Sequence, residues 1–182
     1  MSNRVHIVAM SGSLRKQSYN TALLKEAKRL LADVADVDIL EIGHLPFYNQ
    51  DLDAAVPASV AELAERIRLA DGVLLATPEY NFSYSAVLKS ALEWLSRQCT
   101  GAPLAGKPVG VLGATLGAFG TTRGQRHLRD VLFSLDAVAV NRPEVCIAFA
   151  NQKFDDQGIL KDEATLTFLK QHLDNLIALA RK

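Results

Sequence analysis

Five short apolar runs alternate along the chain with longer stretches in which apolar residues recur every three or four positions. Val5–Met10, Val37–Ile42, Gly72–Thr77, Val109–Ala114 and the pair Ala137–Val140 with Val145–Ala148 read as strands: short, β-branched and bounded by Gly, Pro, Asn or Asp. Thr21–Ala32, Pro57–Ala70, Ser85–Arg97, Thr122–Leu135 and Glu163–Arg181 read as helices. In the last, Leu166, Leu169, Leu173, Leu176, Ile177 and Ala180 form an amphipathic stripe. Strands that are apolar throughout are buried on both faces, as in a parallel sheet sandwiched by helices. The expectation is an α/β doubly wound five-stranded parallel sheet of order 2-1-3-4-5, helices on both faces, in one domain over residues 1–182. The Rossmann order is the alternative, disfavoured by the shortness of the chain.

Charge and cysteine usage narrow the function. Lys+Arg and Asp+Glu are 20 each, so the formal charge is zero. That excess-free balance argues against nucleic-acid binding, which needs a basic stripe. A small anionic ligand stays open, because one pocket can be basic within a neutral whole. Cys99 and Cys146 sit in no CxxC or Cys/His spacing, so neither a disulfide scaffold nor a zinc module is supported. His6, His44, His127 and His172 fall on separate elements without metal spacing and read as structural. No run of about 18 apolar residues could span a bilayer. Val5–Met10 is too short for a signal peptide's core, so the expected location is cytoplasmic.

In a doubly wound sheet, ligands gather outside the carboxyl ends of the strands, where the strand order reverses. Three loops meet there. After the first strand comes Ser11-Gly12-Ser13-Leu14-Arg15-Lys16-Gln17-Ser18-Tyr19-Asn20. Gly12 allows a tight turn, and Ser13, Ser18 and Asn20 place polar side chains beside the amides of a helix N-terminus. Helix starts favour acids, yet this loop carries Arg15 and Lys16 and none; a bound phosphate would resolve the mismatch. Ser18 or Asn20 as a plain N-cap, with Arg15 solvated, explains the same residues.

After the third strand, Thr77-Pro78-Glu79-Tyr80-Asn81-Phe82-Ser83-Tyr84-Ser85 puts three aromatics near a Pro-fixed turn: a flat surface for a heterocycle, or a turn packed on the core. After the fourth, Thr115-Leu116-Gly117-Ala118-Phe119-Gly120 offers two glycines for close backbone approach, a weak signal alone. Gly101–Lys107 has Walker A spacing, but Pro108 stands where Ser or Thr must bind magnesium, and the segment precedes a strand rather than following one. Arg123, Arg126, His127 and Arg129 crowd a helix start against its dipole. They form either a solvated face or a contact, with Glu144 of a neighbouring subunit or with a nucleotide phosphate.

Gly12-Ser13-Leu14-Arg15 with Ser18 and Asn20, together with Pro78-Glu79-Tyr80-Asn81 and Leu88-Lys89, resembles the NADPH-dependent FMN reductase family of flavodoxin-like proteins. Within it the likeness is greatest to the quinone and chromate reductase branch. Leu104–Pro108 and His127-Leu128-Arg129 extend the resemblance to nearly the whole chain. It implies a flavodoxin-like fold, with Ser13, Arg15, Ser18, Tyr19 and Asn20 at the FMN phosphate and Pro78, Glu79, Tyr80 and Asn81 lining the isoalloxazine. Thr115 and Gly117 match the third flavin loop. It also implies NADPH or NADH as electron donor and a small-molecule acceptor, a quinone or through promiscuity chromate. Hydride would pass through the flavin in a ping-pong cycle, without a catalytic side chain. The implied assembly is a homodimer or homotetramer, with Phe82, Tyr84 and Trp94 near the seam. Ser85-Ala86 stands where the family usually has Pro-Gly, and Arg126 where close relatives carry an aromatic. A non-enzymatic, flavodoxin-like FMN electron carrier is the alternative; the neutral net charge counts against it.

Overall fold

The computed structural model describes residues 4–182. Strands β1 (Val5–Ser11), β2 (Ala35–Leu40), β3 (Gly72–Ala76) and β4 (Pro108–Ala114) alternate with helices α1 (Tyr19–Leu30), α2 (Ala58–Leu69), α3 (Ala86–Leu95) and α4 (Thr122–Ser134). Two short strands, β5 (Val138–Ala139) and β6 (Val145–Ile147), a single turn α5 (Ala150–Lys153) and the long α6 (Glu163–Ala180) complete the chain. The sheet is parallel in the order β2-β1-β3-β4-β5, with β6 also on β4. This is the flavodoxin-like, doubly wound order expected from the apolar strands.

Side-chain alternation makes both faces of each strand core. Ile7, Ala9, Leu74, Ala76, Leu112 and Ala114 point to α1 and α6. Val8, Met10, Val73, Leu75, Val109 and Val111 point to α2, α3 and α4. At roughly 1.5–3 kcal/mol per buried aliphatic side chain, this two-sided burial is the main stabilising contribution. Trp94 belongs to it too: it is 0% exposed and its Nε1–H donates to the Pro46 carbonyl at 2.9 Å. Tyr84 is likewise buried, and burial pushes its phenol up to about 12. The expectation that Trp94 and Tyr84 lie at a subunit seam is therefore corrected: the chain's own core takes both. Of that trio only Phe82 is exposed.

The fifth strand position is filled in two pieces. Val109 pairs with Ala139 and Leu112 with Val145, so Gly110 and Val111 face the bulged segment 140–144. The bulge takes the edge away from the Val111 N–H, which instead donates to Nε2 of His172 on α6 at 3.1 Å. His172 in turn donates from Nδ1 to the Pro143 carbonyl at 2.8 Å, which fixes its tautomer. Burial holds its pKa below the ordinary value. Asn175, also on α6, donates to Arg142 O at 2.8 Å, and from the other side Arg129 of α4 donates to Val140 O at 2.9 Å. A buried amide left unpaired costs about 1–3 kcal/mol, which explains why a histidine is held at a fully buried position.

Candidate functional site

The carboxyl ends of β1, β3 and β4 open into a cleft of about 170 Å³ lined by Ser13, Arg15, Ser18, Tyr19, Asn20, Pro78, Glu79, Tyr80, Ala114, Thr115 and Leu116. Nine of the eleven residues expected from sequence meet there; Asn81 and Gly117 do not line it. Asn81 lies at the exposed tip of the turn, and Gly117 on the solvent side of its loop. Ala114 and Leu116 went unsuspected as apolar, though the position of Ala114 at the end of β4 was itself a signal.

In the loop after β1 the capping role of Ser18 leaves room for an anion. Ser18 is the N-cap of α1, its hydroxyl accepting from Asn20 N and Thr21 N at 3.2 Å each. The amides of Arg15, Lys16, Gln17 and Tyr19 donate to nothing within the chain among the described residues. The first turn of α1 holds no acid. Arg15, exposed, folds its guanidinium back onto the Gln17 carbonyl at 2.8 Å and so stiffens the loop. Free amides, a helix N-terminus and a guanidinium without a carboxylate partner make a site built for an anion. Tyr19 leans on Phe154 with centroids 5.2 Å apart. At Gly12 a Cβ would come within 2.4 Å of Ser85 Oγ and 3.3 Å of Leu88 Cβ, so a side chain there would make the Ser85 hydroxyl turn away.

Asn20 is spent inside the protein. Its Nδ2 donates to Ala114 O at 3.0 Å and its Oδ1 accepts from Ala114 N at 2.9 Å. The side chain, 3% exposed, ties the start of α1 to the end of β4 and lines the cleft as a brace.

Glu79 is also engaged. Its buried carboxylate accepts from the Arg123 and Gly124 amides at 3.0 Å each and from the Arg123 guanidinium at 2.5–2.7 Å. The acid missing from the first turn of α4 thus arrives from the turn after β3, leaving backbone and the Pro78 and Tyr80 side chains to face a ligand. In the third loop, Gly117 N donates to Thr115 Oγ1 at 3.4 Å and Gly117 adopts no left-handed backbone. Gly120 is the demanding position, with φ +63° and the Cys146 carbonyl 2.7 Å from where a Cβ would lie. The apolar side chains of Leu14, Tyr80, Phe82, Leu116 and Phe119 stand exposed on the loops that form the cleft.

Residues 5–152 match the model of the family described as NADPH-dependent FMN reductase. An NAD(P)H-dependent FMN reductase of Pseudomonas aeruginosa is 44% identical, covering 97% of this chain and 95% of its own. A quinone reductase of Escherichia coli is 40% identical over 95% and 94% of the two chains. Among solved structures, a flavoenzyme NAD(P)H:(acceptor) oxidoreductase from Paracoccus denitrificans superposes with a TM-score of 0.89 at 35% identity, covering 97% of each chain.

Proposed function

The chain belongs to the NADPH-dependent FMN reductase family, and we propose that it is an FMN-dependent NAD(P)H oxidoreductase that reduces quinones and other small acceptors. The observation that carries this is the meeting, in one cleft, of an acid-free α1 N-terminus and the Pro78–Tyr80 turn. The free amides of Arg15, Lys16, Gln17 and Tyr19, with the Arg15 guanidinium, would hold the FMN phosphate. Pro78, Tyr80, Thr115 and Leu116 would border the ring. When bound, FMN supplies the redox chemistry, taking hydride from reduced nicotinamide and giving two electrons to the acceptor. The chain's part is to bind, orient and shield; no nucleophile is needed. Donor and acceptor would share the cleft's open side, so they alternate and the kinetics are ping-pong. Chromate would be reduced by the same route, as a promiscuous acceptor.

A cleft of about 170 Å³ falls short of the roughly 300–1,000 Å³ typical of small-ligand pockets. It is too small to enclose the whole cofactor, so the outer part of the ring would extend past Pro78 and Thr115 to the exposed collar of Tyr80, Phe82, Leu116 and Phe119. A second copy laid over that collar would close the site, giving a homodimer or homotetramer. Sedimentation at micromolar protein should show no 20 kDa species.

The deciding measurement is the absorbance spectrum of purified, FMN-loaded protein before and after anaerobic NADPH. Rapid bleaching, with parallel double-reciprocal lines for NADPH and benzoquinone, is expected. A flavin that stays oxidised for minutes under NADPH would replace this reading with the electron-carrier one.

A further inference from the structure

The turn after β3 closes as a two-residue hairpin: Tyr80 N donates to Ser83 O at 2.8 Å, and Ser83 N to Tyr80 O at 2.9 Å. Its tip residues, Asn81 at φ +49° and Phe82 at φ +67°, are both left-handed. A phenylalanine there is strained and persists only if its surroundings over-determine it. The start of α4 supplies that restraint. The Arg123 guanidinium lies 3.9 Å from the Phe82 ring centroid and 4.7 Å from that of Phe119, held between two loops that border the cleft. The same guanidinium pairs with the buried Glu79 carboxylate. Gly124 lets the helix approach: a Cβ there would sit 3.2 Å from the Ser83 backbone. His127 Nδ1 meets Ser83 Oγ at 3.1 Å.

We propose that Arg123 is a positioning residue for the acceptor step: through Glu79, Phe82 and Phe119 it fixes the lip of the cleft and so sets which quinones reach the cofactor. This rests on the quinone-reductase reading above. One planar cation joins three groups on two separate loops, the Glu79–Phe82 turn and the loop carrying Phe119. Removing it frees those loops to part, without touching the phosphate end. Lysine can keep the ion pair with Glu79, but its ammonium cannot stack as a plane between two rings. The rings themselves are 63% and 69% exposed, so their packing contributes little to folding and much to the shape of the lip.

The test uses FMN-loaded Arg123→Leu, Arg123→Lys and Phe119→Ala, with kcat and KM measured for benzoquinone and for a bulkier alkylated naphthoquinone. In Arg123→Leu the ratio of the two kcat/KM values should move toward the bulky acceptor by about fivefold, the scale of one exposed cation–π contact. The change should lie in KM, with FMN affinity within about threefold of the parent. Arg123→Lys should recover thermal stability but not the ratio. Phe119→Ala, at an exposed position that folding tolerates, should shift the ratio the same way, which keeps the test available if Arg123→Leu fails to fold. An unchanged ratio in both Arg123→Lys and Phe119→Ala, or equal loss toward every quinone, would overturn the proposal. A parent protein that binds no FMN, or is not reduced by NADPH, would instead sink the reductase reading beneath it.

Discussion

Replacing Asn20 by alanine separates a ligand from a brace. Position alone suggests that Asn20 hydrogen-bonds the phosphate, but both polar atoms of its side chain are bound to the backbone of Ala114. Asn20→Ala deletes two buried hydrogen bonds and leaves the Ala114 N–H and C=O unpaired. At about 1–3 kcal/mol for each orphaned group, less what a water can restore, the loss should be roughly 2–4 kcal/mol. For a domain of this size, about 2–4 °C per kcal/mol turns that into a fall in Tm of roughly 5–15 °C. The measurement is thermal and urea unfolding of the apoprotein, which contains no phosphate to lose. FMN titration of the folded variant at low temperature should then show a modest loss of affinity, because the α1 amides remain. If the apoprotein melts within about 1 °C of the parent while FMN affinity falls a hundredfold, the brace argument is wrong and Asn20 is a phosphate ligand.

Arg15→Ala should weaken FMN binding by about 10- to 150-fold, the equivalent of one charge-assisted hydrogen bond of roughly 1.5–3 kcal/mol, whereas Lys16→Ala should do less; equal affinities by fluorescence titration would count against the loop assignment. Gly120→Ala should destabilise the fold by more than about 1 kcal/mol, since its φ of +63° and the nearby Cys146 carbonyl both resist a side chain. Gly117→Ala should melt with the parent. Burial keeps His172 neutral with its pKa lowered, so its contribution is intact above the unfolded value near 6.5 and is lost as pH falls through the folded value. Urea midpoints between pH 8 and pH 5 should therefore fall more steeply for the parent than for His172→Gln, and parallel curves would remove His172 from the account.

The sheet was legible because it depends on pattern, and the site was legible only to the extent that position determines it. Apolar runs such as Val73–Leu75 and Val109–Leu112 have one physical solution, burial on both faces. Strand order then places the loops after β1, β3 and β4 together. Sequence could not say which of two hydrogen-bonding roles a polar side chain takes, because that depends on partners far along the chain. Asn20 and Ala114 are 94 positions apart, and Glu79 and Arg123 are 44 apart. The same limit applies to Trp94, expected near the subunit seam: the Pro46 carbonyl that takes its N–H comes from the loop after β2. Helix ends moved for local reasons. α1 begins at Tyr19 rather than Thr21 because Ser18 is its cap, and it ends at Leu30, with a turn over residues 31–34 before β2 begins at Ala35.

Two helices posed the same electrostatic problem in the sequence, and the structure solves it differently for each. α1 and α4 both start without an acid and with cations at or before the first turn. At α4 the deficit is met internally, since Glu79 brings a buried carboxylate to the Arg123 and Gly124 amides and to the guanidinium. At α1, among the described residues, no carboxylate hydrogen-bonds the N-terminus. Ser18 caps two amides with a neutral hydroxyl, and Arg15 turns to a carbonyl of its own loop. A helix N-terminus carries roughly half a positive charge, and here it stands beside two more cations; Asp155 and Asp156 border the outer side of the same loop, but among the described residues neither ion-pairs with Arg15 or Lys16. The contrast gives the anion assignment its weight. A fold that ties a carboxylate to the amides of α4 and leaves those of α1 without one supports the proposal that α1 takes a phosphate from outside. The consequence is measurable without FMN: inorganic phosphate should raise the Tm of the apoprotein in a dose-dependent way that Arg15→Ala reduces and Arg123→Leu leaves intact. Equal stabilisation of all three proteins would mean that phosphate acts through the solvent alone, and the electrostatic argument for α1 would fail.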